Sequence, residues 1–198
     1  MTFQVYQDPG HDRARPGTQA GGIDEERDVF ALASSVNTYL NHFPYVSSTL
    51  SRVLGEQSKR YRDRATEAKA LGARLVICHH INAYTDASGH GLMTFYTPGD
   101  ALGQAAADTL ARCAPPDLRR QADNRMFAAG PAGWTAAAWR VMDAYRRNGL
   151  SVMLVEWGFA TNPRDAAILL DTARRPELCA GVMSAVARVI SLTHGVTP

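Results

Sequence analysis

Three apolar runs decide the fold: FQVYQDPGH (3–11), RLVICHH (74–80) and SVMLVE (151–156). Each is short, rich in β-branched and aliphatic residues, and ends on a residue that can bind a metal or carry a proton: His11, His80 and Glu156. Such runs read as strands buried on both faces, the pattern of a mostly parallel sheet covered by helices. In open sheets of that kind, ligands bind in the crevice beyond the carboxyl ends of the strands. The three terminal residues, far apart in the chain, are therefore expected to meet at one edge, and two imidazoles with a carboxylate there point to a metal-dependent hydrolase.

The segments between the strands agree. Residues 9–22 (PGHDRARPGTQAGG) form a Gly/Pro-rich surface loop at the sheet edge. From Asp24, a candidate N-cap, the apolar residues Val29, Leu32, Ala33, Val36, Leu40 and Phe43 recur at helical spacing. A short strand is expected over 44–48, a helix over 60–71, a strand over 91–96 stopped by TPGD, and helices over 99–112, 134–147, 163–174 and 176–193. The stretch 113–133 (CAPPDLRRQADNRMFAAGPAG) reads as irregular, a flexible segment along the substrate groove. Alternation of strands and helices predicts a single α/β domain spanning 1–198, a twisted, mostly parallel sheet with helices on both faces.

Composition narrows the function. A net charge of +2 on 198 residues argues against nucleic acid, and mild basicity suits an acidic polymer such as cell wall. Cys78, Cys113 and Cys179 are odd in number and contain no C-x-x-C pair, so they read as reduced, partly buried small hydrophobes. The N-terminus runs directly into a strand without the pattern of a secretory signal, and no apolar segment nears the roughly 20 residues that span a bilayer. The expectation is a soluble enzyme that does not insert in a membrane and stays cytoplasmic until released. Phosphate-binding glycine loops and the G-x-S-x-G serine elbow are absent from the sequence.

At the candidate site, Pro9 and Gly10 impose a tight turn that aims His11 over the sheet edge. His79 and His80 must point to opposite faces of their strand, which leaves His80 for the site and His79 for the core. Asn82 shares the side of His80 and has the geometry to hydrogen-bond a substrate or orient a ligand. Glu25 and Glu26 open the first helix, where acids stabilise the helix dipole, and one of them can reach the same metal as His11. Two histidines and a carboxylate suit zinc with an open fourth position. Glu156 ends an apolar strand, where a charge is costly without a partner. The residues that follow it, Trp157, Gly158 and Phe159, are expected to wall it and raise its pKa. His42, His90 and His194 lack partners at metal-like spacing and read as surface or loop residues.

In this order DPGH (8–11), a helix-opening Glu, HINA (80–83) and VEWGFATNP (155–163) resemble the zinc-dependent N-acetylmuramoyl-L-alanine amidases of the Amidase_3 type. That family includes bacterial cell-separation amidases and many phage endolysin catalytic domains. The resemblance runs from about Val5 to the C-terminus and implies a six-stranded α/β domain. It also implies a single zinc ion and cleavage of the amide between the lactyl group of N-acetylmuramic acid and L-alanine of the peptidoglycan stem peptide. Carried over by motif, His11 and His80 are zinc ligands and Glu156 is the catalytic glutamate. Aligning the hydrophobic positions of DEERDVFALA (24–33) selects Glu25 as the third ligand, with Glu26 the alternative. Arg64, in YRDRATEAKALGA (61–73), matches an arginine expected to be structural or to support the site. Asp12-Arg13 stand where the family usually has two glycines, Cys78-His79-His80 stand for S-I-H, and the Thr-Arg after the second strand is not evident, which bears on loop shape and substrate fit. The expected enzyme is a monomeric, endolysin-like lytic amidase. A zinc peptidase cutting within the stem peptide and a noncatalytic peptidoglycan-binding module are the alternatives.

Overall fold

The computed structural model describes residues 2–57, 59–120 and 126–194. Six strands form one sheet in the order β4-β1-β5-β8-β6-β7. They are β1 (Phe3–Pro9), β4 (Val46–Leu50), β5 (Leu75–Asn82), β6 (Met93–Tyr96), β7 (Met126–Ala128) and β8 (Val152–Phe159). β4, β1, β5 and β8 run parallel, and β6 pairs antiparallel with β8. A two-stranded ribbon pairs β2 (Gln19–Ala20), within the loop of residues 9–22, with β3 (Ile23–Asp24), just before the first helix.

The helices divide by the faces they cover. α1 (Glu25–Leu40), α3 (Ala101–Cys113), α5 (Pro163–Leu170) and α6 (Arg175–His194) close one face over Val5, Leu75, Ile77, Met153, Val155 and Trp157. α2 (Tyr61–Ala70) and α4 (Ala136–Arg147) close the other over Tyr6, Val76, Cys78, Val152 and Leu154. This alternation along β1, β5 and β8 is the two-residue period of a strand buried on both sides. Full burial of each such aliphatic side chain contributes about 1.5–3 kcal/mol before chain entropy is counted.

Local chemistry sets the boundaries. Asp24 caps α1, its side chain accepting from the Arg27 amide at 3.3 Å, as expected from the sequence. Asn162 caps α5 with Pro163 in the first turn, and Asp100 caps α3. α1 stops at Leu40, so Phe43 lies beyond it and is exposed, and β4 follows at 46–50, two residues later than expected. α3 and α4 begin two residues later than predicted, with a 3-10 turn over Gly133–Thr135 before α4. The helix expected over 163–174 breaks at Asp171, whose side chain caps a separate 3-10 turn, Thr172–Arg174.

The stretch 113–133 is not wholly irregular, because Met126–Ala128 adds to the sheet edge as β7; residues 121–125 lie outside the described ones. Cys78 and Cys179 are buried, whereas Cys113 is exposed. One expectation missed a segment: by length and composition, 172–194 is apolar enough to cross a membrane. Within it, α6 packs Leu178, Val182, Val186 and Val189 into the core against α1 and α3.

Candidate metal centre and cleft

The carboxyl ends of β1, β5 and β8 bring His11, His80 and Glu156 to one edge, with His80 paired directly opposite Glu156. His11 follows β1 in the left-handed region at φ 63°, the only non-glycine residue with positive φ among the described residues. A side chain seldom adopts that conformation, and such strain gathers at functional sites. Two features hold it there. Asp12, buried where the family pattern has glycine, accepts from the Ala14 and Arg15 amides at 3.0 and 2.9 Å, closing the turn. The Arg15 carbonyl lies 3.2 Å from His11 Nδ1 and leaves Nε2 facing inward.

Glycine is required at two positions around the cluster. A Cβ on Gly10 would run into the His80 ring, and one on Gly17, at φ 75°, would meet the Glu25 carboxylate and lie 2.8 Å from His11 ring carbons.

Glu25 Oε1 sits 3.0 Å from His11 Nε2 and 3.3 Å from His80 Nδ1. Backbone donors orient the carboxylate from both sides, Ile81 N to Oε1 at 3.0 Å and Thr18 N to Oε2 at 2.9 Å. Burial alone would raise its pKa, but hydrogen bonds to the two imidazoles, with their charge, hold it well below the usual carboxylate range. One donor atom from each of His11, Glu25 and His80 lies within 4.8 Å of the others. Two neutral-type nitrogens and an anionic oxygen, each braced by a backbone group or a close-packed glycine, form a donor set that fits a divalent metal ion.

Glu26, the alternative ligand, faces away. It pairs with buried Arg52 at 2.8 Å, and Arg52 also donates to the carbonyls of Pro9 and Gly10 at 3.2 and 2.9 Å. Arg52 thus clamps the DPGH turn to the start of α1, a role with no sequence signal, because its partners lie 26 and 42 or more residues away.

Glu156 Oε2 is enclosed and has no hydrogen-bond partner among the described residues. Burial first, and then the negative Glu25 nearby, raise its pKa well above the ordinary value. The cause differs in part from the one expected. Trp157 points to the opposite face, where its indole stacks on His79 and donates to Nδ1 at 3.2 Å. A register shift between His80 and Asn82 sets Phe159 opposite Asn82, and this bulge returns Phe159 to the cleft. His79 is buried as expected, with Nε2 2.7 Å from Gln7 Oε1, and burial lowers its pKa to about 3.

Asn82 lines the cleft beside Glu156, its Oδ1 accepting from the Ala83 amide at 2.8 Å and its Nδ2 directed at the Met93 sulphur, 3.8 Å away. Arg64 is buried beneath the site and pairs with Asp8 of the DPGH turn. His42, His90 and His194 are exposed and outside the cluster.

An open α/β sheet carries, at its carboxyl edge, two histidines and a carboxylate able to hold a metal and a partly buried glutamate beside them, the arrangement of a hydrolase site. Comparison with known proteins gives the family: residues 5–188 match the N-acetylmuramoyl-L-alanine amidase (Amidase_3) family, and the chain belongs to it. It is therefore an enzyme of that amidase class, acting on peptidoglycan. The chain is 26% identical over 191 residues to the amidase CwlM of Bacillus licheniformis, covering 96% of this chain and 70% of that protein. It is 26% identical over 173 residues to CwlM of Mycobacterium tuberculosis, covering 87% of this chain but only 40% of that longer protein. The fold is similar to the catalytic domain of CwlV from Paenibacillus polymyxa, with a TM-score of 0.76, 19% identity and coverage of 99% of this chain and all of that one. It is similar also to AmiC2 of Nostoc punctiforme, with a TM-score of 0.77, 19% identity and coverage of 96% and 97%.

Proposed function

We propose that His11, Glu25 and His80 hold one zinc ion and that Glu156 is the general base and acid for hydrolysis of the amide between the N-acetylmuramic lactyl group and L-alanine. The observation that carries this reading is the unpartnered carboxylate oxygen of Glu156 on the strand position opposite His80, beside three converging donors. Zinc in such a site supplies Lewis-acid polarisation of a carbonyl and makes water nucleophilic near neutral pH.

Glu156 takes a proton from the attacking water at Oε2 and delivers it to the departing nitrogen. The water oxygen joins the lactyl carbonyl carbon, the C–N bond breaks, and L-alanine leaves with a free amine. A raised pKa suits the second half of that task, since the residue must hold the proton between the two transfers. Asn82 is placed to donate to the carbonyl oxygen as negative charge develops. Arg64 touches no reacting atom; through Asp8 it positions the turn that carries His11.

Digestion of purified peptidoglycan followed by mass analysis tests the reaction. Sugar strands that keep their lactyl groups, together with intact peptides bearing N-terminal alanine, are expected. Cuts inside the stem peptide would instead favour a peptidase, and binding without release a noncatalytic module. Metal analysis of the purified protein is expected to give one zinc per chain.

The reading extends to a monomeric, lytic, endolysin-like enzyme that reaches the wall from the cytoplasm without inserting in the membrane, supported by the +2 charge and the cationic rim of the cleft. Loss of turbidity when the protein is added to isolated cell walls is the expected sign. Walls that remain turbid while small muropeptides are cleaved would argue for a non-lytic amidase.

A further inference from the structure

The cleft on either side of the metal cluster has two chemically unlike ends. Beyond His11 and His80 it is lined by Arg15, Lys59, Arg60 and Arg64; Arg15 pairs with Asp12, Lys59 with Glu67 and the buried Arg64 with Asp8, which leaves Arg60 as the cation outside those pairs. Beyond Glu156 the cleft opens into a cavity of about 620 Å³, within the usual range of small-molecule sites. Its walls are Phe95, Phe127, Trp134 and Phe159, with Asn82 and Glu156 on the side of the metal cluster.

Trp134 is 64% exposed yet held in place. Phe127 meets it edge-on at 4.7 Å and 83°, and Phe95 at 5.9 Å and 66°. An indole fixed in this way offers a flat apolar face to the cleft with little ordering left to lose on binding. Arg120, the cation of this end, already donates to the His90 carbonyl and lies over the Phe159 ring at 5.8 Å.

The substrate is equally two-sided. On one side of its scissile amide is a neutral N-acetylated pyranose with C–H-rich faces; on the other is a peptide that carries free carboxylates. Carboxylates laid in the aromatic end would lie near Glu156 and lose their water with no free cation among the described residues that line it, at considerable cost. We propose that the aromatic end is a glycan subsite, in which the N-acetylhexosamine ring next to the cleaved bond stacks on Trp134, while the stem peptide leaves across the cationic end past Arg60. The assignment rests on the amidase reading and goes beyond it by fixing the direction of the substrate and the residue that reads its sugar.

The test pairs two substrates with one inert ligand. Trp134→Ala is expected to raise KM for a disaccharide-peptide about tenfold more than for a lactyl-peptide without sugar, the scale of one lost aromatic contact, with kcat on the disaccharide-peptide little changed. Trp134→Tyr, which keeps an aromatic face, recovers most of that difference. Titration with the N-acetylglucosamine tetramer, which has no stem peptide, is expected to shift the tryptophan fluorescence of the wild type and of Trp139→Phe but not of Trp134→Ala. An equal KM change on both substrates, or tetramer binding unaffected by loss of Trp134, overturns the subsite. If neither substrate is cleaved, the amidase reading fails, and the tetramer titration still judges the subsite by itself.

Discussion

Two carboxylates at the same sheet edge have opposite surroundings. Asp8, at the end of β1, is fully compensated: Arg64 pairs with Oδ1, Ser51 donates to Oδ1 at 2.8 Å, and Tyr145 donates to Oδ2 at 2.5 Å. Glu156, within β8 opposite His80, has an enclosed oxygen with no partner among the described residues. A buried charge without a partner is expensive and tends to neutralise by a pKa shift. The contrast separates the two surroundings: Asp8 is tied to the turn on which His11 stands, and Glu156 is left to the proton transfer proposed for it. Asp165 falls between them. Its Oδ2 accepts from Gly91 N at 2.6 Å and Phe159 N at 2.9 Å, its Oδ1 has no partner, and burial above all raises its pKa.

The largest expected effect separates the neighbours Glu25 and Glu26. Glu25→Ala should abolish stoichiometric zinc and turnover together. Glu26→Ala should keep the metal and lose stability, because Arg52 is then a buried cation without its carboxylate. Metal analysis alongside thermal melting reads both, and retention of one zinc by Glu25→Ala would remove it from the ligand set.

Next, Glu156→Gln should bind zinc normally yet lose at least about two orders of magnitude in kcat, the usual scale for a general acid or base. Turnover within a few-fold of wild type on muropeptides would move the proton-transfer role elsewhere.

Breaking the compensated pair should show in stability. Arg64→Met leaves Asp8 buried without its cation and should cost about 3–5 kcal/mol in urea unfolding. A loss under about 1 kcal/mol, within the range of ordinary substitutions, would mean that Ser51 and Tyr145 suffice.

The smallest effect is a pH slope at Asp165. Its folded pKa lies above the ordinary 3.8, so the folded state holds a proton that the unfolded chain has released. The stability it contributes is complete below 3.8 and is lost as pH rises through the folded value, with a slope of at most about 1.4 kcal/mol per pH unit. Wild type minus Asp165→Asn, followed by urea midpoints upward from pH 3.5, should therefore decline with pH. A flat difference would show that the two amide donors compensate the charge.

Much of the site was legible because its signals are local. Proline and glycine before His11 mark a turn, alternation along RLVICHH assigns His79 to the core and His80 to the cleft, and a terminal acid on SVMLVE stands out against its own strand. Where the sequence reading failed, the deciding partner was distant. Trp157 was expected to wall Glu156, yet strand alternation carries it to His79, and a bulge returns Phe159 instead. β7 is not legible in the sequence, because a three-residue edge strand carries no periodicity and exists only through pairing with β6.

The sequence by itself determined the kinds and order of the elements and which residue types end the strands, since periodicity, capping and turn chemistry depend on neighbours a few residues apart. Tertiary structure alone decided that Glu26 turns away to Arg52 while Glu25, selected by the family resemblance, lies beside His11 and His80, that His11 is held in a left-handed conformation, and that Phe95, Phe127 and Trp134 gather beside Glu156. Those outcomes depend on which strands lie side by side and which helix end faces them, relations between residues tens of positions apart that no local pattern encodes.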